Sequence, residues 1–348
     1  MLIKVEALDT LFFRDGKPFT MGQETWADGI FPPYPSVVYG ALRTAYFAQH
    51  IEELNQANQK DDPTAGLKIK GLFLVIDNDL CLPLPLDCVE EKNNEKNQVV
   101  FQLKLKENNR VSSAPTSFIL ASDRDSQVDN VREGYLNDLD FRRYLDATMN
   151  EFYYYKLSDY VVAEEKIGIA KDRVTSAAEK SKLYRIALRR LNNVSIIIDF
   201  DGLELPESGF LKLGGEGKAA TYKSIDSLPD FSSELKGNRF KIYLATPAIF
   251  KNGWLPGWIN PETLEGTYDE LRLKLLSGAV GKNVNIGGFD IEKGRPKPMK
   301  RAVPAGSVYY FELLEGEPAK VIELMHYKSI SEFSPEQGFG ISFVGMVQ

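Results

Sequence analysis

The stretch FLKLGGEGKAA, residues 210–220, is a short alternating strand that runs into three glycines, a glutamate and a lysine. Its reading decides the fold class. If the turn cradles a nucleotide phosphate, the chain is built of alternating strands and helices; if not, the strand belongs to another sheet architecture. A Walker-type loop has a glycine five residues before its Gly-Lys pair and a hydroxyl after it. Lys212 and Ala219 stand at those places, so the wrapping backbone and the magnesium ligand are both missing. Gly215, Gly217 and Ala220 match G-x-G-x-x-A after a strand. That pattern carries meaning only inside a strand-helix-strand unit.

The setting is different. LIKVEAL (residues 2–8) alternates as a strand and is followed by a long loop. Ser36 is placed to cap a helix through VVYGALRTAYFAQHIEELNQ (37–56), with GLFLVID and CLPLPL as strands after it. A helix is expected at DFRRYLDATM (140–149). LYRIALRRL (183–191) alternates, Asn192 and Asn193 make a turn, and VSIIIDF follows, which predicts a hairpin with Arg185 and Arg189 on its outer face. The segment 168–181 reads as a projecting loop. From FKIYLATPAIF (240–250) onward the order repeats, with a helix expected over ETLEGTYDELRLKLLSG (262–278) and strands in VNIGGFD, AVPAGSVYYFEL and GFGISFVGMV. The expectation is an α+β protein with antiparallel sheets, divided at 1–225 and 226–348, with insertions at about 90–160 whose acidic stretches, 90–95 and 123–140, are solvated.

Composition narrows the function. At 348 residues and 43% hydrophobic content the chain can bury a large core. No apolar run approaches the roughly 20 residues that span a bilayer, and MLIKVEALDT lacks the regions of a signal peptide, so a cytoplasmic location is expected. Cys81 and Cys88 have no zinc spacing and are too few for a disulfide framework. Only His50 and His326 exist, neither near other metal ligands, and there is no nucleophile elbow. No cofactor, metal or catalytic residue is expected.

The net charge of -7 argues against a global basic field, but charge is segregated. Residues 166–190 carry eight basic side chains against two acidic ones, and KGRPKPMKR (293–301) carries five with no acid. A basic strand face beside a loop suits a single-stranded backbone, whose phosphates take guanidinium forks.

Five blocks in series, FFRDGKPF (12–19), PPYPSVVYGALR (32–43), GIAKDRVTSAAEKSKLY (168–184), FLKLGGEGKAA and KPMKRAVPAGSVYYFE (297–312), resemble a RAMP-type family. It is the Cmr subunit family that pairs with the large polymerase-like subunit of type III-B CRISPR effectors. The resemblance spans nearly the whole chain, with no motif between 90 and 160. It implies two ferredoxin-like, RRM-related domains with glycine-rich loops. It also implies a subunit, not a nuclease, that binds the crRNA 5′ handle, contacts the large subunit and abuts the first backbone subunit.

On this reading Gly214, Gly215 and Gly217 let backbone approach sugar-phosphate, where a Cβ would clash, and Lys218 supplies charge. A bare tight turn between strand and helix is the alternative. Lys171, Arg173, Lys182, Arg185 and Arg189 line the handle, and Lys297, Lys300 and Arg301 extend the path. Arg14, Lys17, Tyr39 and Arg43 divide between RNA contact and holding the first loop. Trp254 and Trp258 are core or partner surface. Two rivals stay open: a metal-independent repeat-processing endoribonuclease that uses His50 or His326, and an assembly protein whose basic clusters meet acidic neighbours.

Overall fold

The computed structural model describes residues 1–14, 26–27, 29–92, 98–108, 116–171, 178–290 and 294–347. The chain begins with β1 (Leu2–Ala7), enters α1 (Pro35–Gln49) and returns through β2 (Lys68–Ile76). Next come α2 (Asp138–Leu145) and the long strands β3 (Val161–Lys171) and β4 (Ala178–Leu191). The first half closes with β5 (Val194–Asp201), β6 (Ser208–Lys212) and β7 (Ala219–Ser224). The second half contains β8 (Arg239–Leu244), β9 (Leu271–Ala279), β10 (Val308–Glu315), α3 (Pro318–Met325) and β11 (Ile341–Met346).

Two antiparallel sheets hold these strands except β3 and β4, which pair with each other in a separate sheet. The larger has eight strands, in the order Tyr155–Lys156, Gly134–Asn137, Asp79–Pro83, β2, β5, β1, β7, β6. The smaller has six, in the order Glu265–Tyr268, β9, β10, β8, β11, Lys328–Ser329. The architecture is therefore α+β, mostly antiparallel sheet with few helices. Strand position follows sequence. VSIIIDFD is nearly continuous in apolar residues and β5 lies between β2 and β1; RFKIYL likewise makes β8 a central strand. Both need cover on two faces.

The two sheets share a core through α2. Asn137 caps this helix by accepting from the Asp140 amide at 2.8 Å. The Phe141 ring then lies 4.8 Å from Tyr243 of β8 and 5.4 Å from Phe343 of β11. Fully burying such a ring contributes about 1.5–3 kcal/mol. Beside it, buried Asp87 accepts from the hydroxyls of Tyr144 at 3.0 Å and Tyr310 at 2.5 Å and from Gln102 Nε2 at 3.0 Å. Lys241 Nζ donates to the Tyr144 carbonyl at 2.7 Å, and burial pushes its ammonium down to about 8 against the nearby Asp87 charge. Among the described residues, no helix is long and apolar enough to cross a membrane.

Several sequence expectations are corrected. β4 does not pair with β5: β4 pairs with β3, and β5 is inserted between β1 and β2 in the other sheet. Asn193 does take a positive φ of 54°, but its turn carries the chain between sheets instead of closing a hairpin. The projecting loop at 168–181 is largely strand, with 172–177 outside the described residues. The helix expected at 262–278 is a hairpin of Glu265–Tyr268 and β9, because LRLKLL alternates with Leu271, Leu273 and Leu275 buried. α1 starts at Pro35, whose fixed φ suits the first helical position, so Ser36 lies inside the helix; Tyr34 is the N-cap, and the helix stops at Gln49. The acidic stretches 90–95 and 123–140 are not simply solvated: buried Glu90 accepts from the Tyr154 hydroxyl at 2.9 Å, and Tyr135, Leu136 and Asp140 are buried.

Candidate nucleic-acid interface

The glycine stretch is the turn of the β6–β7 hairpin, with Lys212 opposite Ala219. No helix follows it, which removes the dinucleotide reading, and the alternative of a strand-to-helix corner is corrected to strand-to-strand. Leu213 N donates to Lys218 O at 3.0 Å and Lys218 N to Gly215 O at 3.2 Å. Gly214, Glu216 and Gly217 take φ of 85°, 57° and 65°, in the left-handed region that glycine tolerates best.

Two of the three glycines serve the chain itself. Gly215 N donates to Phe12 O at 2.8 Å. A Cβ on Gly214 would collide with that same carbonyl oxygen and press on the Phe13 ring; one on Gly215 would lie 3.1 Å from the Phe12 ring. A Cβ on Gly217 would meet nothing within 4 Å, so the space in front of this glycine is open.

Phe12 links the turn to β4. Its ring packs with Ile186 and Leu188, and the neighbouring Leu11 exchanges backbone hydrogen bonds with Arg189 at 2.8 and 2.7 Å. This brings basic residues from distant parts of the sequence to one place. Lys218 Nζ donates to Thr10 Oγ1 at 2.7 Å and pairs with Asp9 at 3.2 Å. Arg190 pairs with Asp9 at 3.2 Å from the other side and also with Glu164. Lys166 of β3 reaches Glu216 in the turn at 3.2 Å. The Thr10 amide, followed by the Lys218 ammonium, holds the Asp9 carboxyl below its ordinary range, so it stays ionised at neutral pH.

The other expected site residues divide. Arg185 lies on β4 and pairs with Glu165. Arg189 is turned inward: its Nε donates to Gly29 O at 2.9 Å, and its backbone holds Leu11. The face expected to be openly basic is thus partly closed: Trp26–Ala27 pairs alongside β4, Gly29 O takes the Arg189 guanidinium, and Ala187 on that face is buried. Arg14 forms a backbone bridge with Gly29 and is exposed next to this cover. Lys171 and Lys182 lie on β3 and β4, and Arg173 and Lys17 lie outside the described residues.

Arg43 is structural. Its guanidinium donates to Thr64 Oγ1 at 2.6 Å, Asn58 Oδ1 at 3.1 Å and Asp62 Oδ2 at 2.6 Å, fixing the connection between α1 and β2. Lys300 and Arg301 stand on a separate short ribbon, Lys300–Ala302 against Val284–Ile286, and Lys297 lies beside Gly288; all three are exposed. Lys300 Nζ sits 4.4 Å from the Phe333 ring centroid. Trp258 packs on Phe311 in the core, whereas Trp254 stacks on Tyr309 with 45% of its surface exposed.

Nucleophile chemistry finds little here. Burial pushes both cysteine thiols up, away from thiolate. His326 is held by the main chain at both nitrogens, with Nε2 2.6 Å from Phe231 O and Nδ1 accepting from Val344 N at 3.1 Å. His50 stacks on Tyr46 at 4.4 Å. Together with Glu52 and Glu53 it forms a loose group of potential ligand atoms at the end of α1.

Sequence reading missed Asp9, Glu164 and Glu216, the counter-charges that converge on the basic residues. No alternation in VVAEEKIG marks Glu164, whose place beside β4 comes from strand pairing. Nothing local marks Asp9.

Comparison with known proteins follows the geometry. No curated protein matches the chain. Two solved structures described as the type III-B Cmr-beta bound to cognate target RNA, one of them also with AMPPnP (state 1), contain a chain similar in fold. In each case the TM-score is 0.53 at 16% identity, covering 89% of this chain and 86% of the other. The model of the CRISPR-associated protein family Cas_Cmr3 matches residues 3–347. The chain belongs to the Cas_Cmr3 family of CRISPR-associated proteins.

Proposed function

We propose that the chain is a non-catalytic subunit of a type III-B Cmr RNA-guided complex. In this role it holds the crRNA 5′ handle where the 213–218 turn meets the base of the β3–β4 hairpin, and it joins the large polymerase-like subunit to the adjacent backbone subunit. The observation that carries the RNA site is convergence. Lys166 of β3, Arg190 of β4 and Lys218 of the turn itself meet where the Gly217 backbone is open, and Arg185 lies further along β4, paired with Glu165. Backbone amides and cations at close range are what a sugar-phosphate chain requires.

The fold supports a pair of ferredoxin-like modules. In the first sheet the run β7, β1, β5, β2 has the order 4-1-3-2 of a β-α-β-β-α-β unit, with α1 after the first strand and the insertions between the second and third. In the second sheet β11, β8, β10, β9 has the same order, with α3 before the last strand. Each keeps one of the two helices. Exposed Trp254, Met299 and Phe333 suit contact with a protein neighbour. The non-catalytic role is supported by His326, whose ring nitrogens are both engaged within the fold.

The test is salt-dependent binding of a labelled crRNA, with native or scrambled handle, to this chain together with its large-subunit partner. Lys218→Ala and Arg185→Ala should each weaken binding and lower the salt slope by about 1 per lost phosphate contact, with the protein assembly intact. Unchanged RNA binding in both variants would assign the function to protein interfaces instead.

A further inference from the structure

We propose that Asp9 is a selectivity residue for this RNA site: its carboxylate stands in for a phosphate between Lys218 and Arg190 and yields that place to a polyanion but not to a single anion. The inference rests on the RNA-binding reading above. Asp9 Oδ2 lies 3.2 Å from Lys218 Nζ and Oδ1 lies 3.2 Å from Arg190 Nη2, so each oxygen is committed to a different cation. The two non-bridging oxygens of a phosphodiester offer the same fork to the same donors.

Position makes Asp9 the outer layer. Its side chain is 58% exposed, while the Lys218 side chain beneath it is 19% exposed. The more open partner of the pair is thus the carboxylate. Removing the carboxylate from this pair leaves Lys218 held by Thr10 and Arg190 held by Glu164, so both cations keep their places.

Charge sets the selectivity. Lys166, Lys218 and Arg190 are matched by Glu216, Asp9 and Glu164, and the turn carries no net charge as it stands. A lone phosphate that displaces Asp9 exchanges one anion for another and gains little. Exposed ion pairs are weak, so the exchange is easy for a ligand anchored elsewhere on the same surface. An RNA strand that contacts the open Gly217 backbone and the β4 cations together makes the displacement intramolecular, with the advantage of effective concentration.

The experiment compares wild type, Asp9→Asn and Lys218→Ala in the complex with the large subunit. Probes are labelled native-handle crRNA, scrambled-handle crRNA and inorganic phosphate as competitor. Asp9→Asn should bind both RNAs about two- to fivefold tighter, in line with the strength of an exposed ion pair. The scrambled RNA should gain more than the native one, and phosphate should compete better than it does with wild type. Equal or weaker RNA binding by Asp9→Asn, while Lys218→Ala still loses affinity, overturns the phosphate-mimic role and leaves Asp9 as a strut for Lys218. Loss of effect in both variants overturns the RNA site itself.

Discussion

The Tyr310 hydroxyl donates to Asp87 Oδ2 at 2.5 Å, a hydrogen bond from the central part of the second sheet to the connection after the strand Asp79–Pro83 of the first. Tyr144 and Gln102 complete the shell of this buried carboxylate. Removing it leaves the buried Tyr144 hydroxyl without its acceptor, takes one partner each from Tyr310 and Gln102, and removes a counter-charge of the buried Lys241 ammonium. Asp87→Ala is expected to cost about 3–5 kcal/mol. Both sheets should still unfold together in urea, because Phe141, Tyr243 and Phe343 share one core. An unchanged denaturation midpoint would remove the network from the account of stability.

Gly214 and Gly217 should respond differently to a methyl group. Both take positive φ, which for a non-glycine residue costs about 1–2 kcal/mol. Gly217→Ala meets no neighbour and should cost only that. Gly214→Ala must in addition move the Phe12 carbonyl and the Phe13 ring, and so should be clearly the more destabilising. Equal thermal shifts for the two variants would contradict the close approach to Phe12.

Arg43 tests the separation of structural from RNA-binding cations. Arg43→Ala loses charge-assisted hydrogen bonds to a largely covered Asp62, which points to a loss of about 1–3 kcal/mol. The salt slope of crRNA binding should stay at its wild-type value. A reduced slope would return Arg43 to the RNA path.

His326 makes the fold sensitive to mild acid. Burial, its largest influence, lowers its pKa below the ordinary histidine value, although the bond to Phe231 O opposes this. Nδ1 must stay unprotonated to accept from Val344 N. Below about pH 6.5 the unfolded chain therefore binds a proton that the folded chain refuses, and stability falls with falling pH, by about 1.4 kcal/mol per unit of pKa separation. His326→Gln, which carries both a donor and an acceptor, should lose less stability between pH 7.5 and 5.5 than wild type. Parallel urea curves for the two proteins across that range would refute this.

Much was legible in the sequence because it was local. Alternation in LIKVEAL, the strand-like apolar runs GLFLVID and FKIYLA, the glycine turn, and the failure of its phosphate-loop pattern all depend on neighbouring residues, and together they exclude a doubly wound sheet. The charge segregation was likewise plain. Strand partners were not, since pairing is set by burial across the whole molecule. VSIIIDF sits next to LYRIALRRL in sequence, yet its apolar faces need cover on both sides, which only the place between β1 and β2 supplies. The helix assigned to 262–278 failed for the same reason: LRLKLL fits either period until the adjoining β10 selects the strand.

The site shows the same division. Sequence alone determined that the chain carries a basic segment and a glycine turn that fails the phosphate-loop pattern. Only the tertiary structure decided that Gly214 and Gly215 answer to Phe12, that Arg43 and Arg189 are engaged within the fold, and that Asp9 lies between Lys218 and Arg190. Ion pairs join residues up to 209 positions apart, and a contact of that span leaves no periodic trace in the chain.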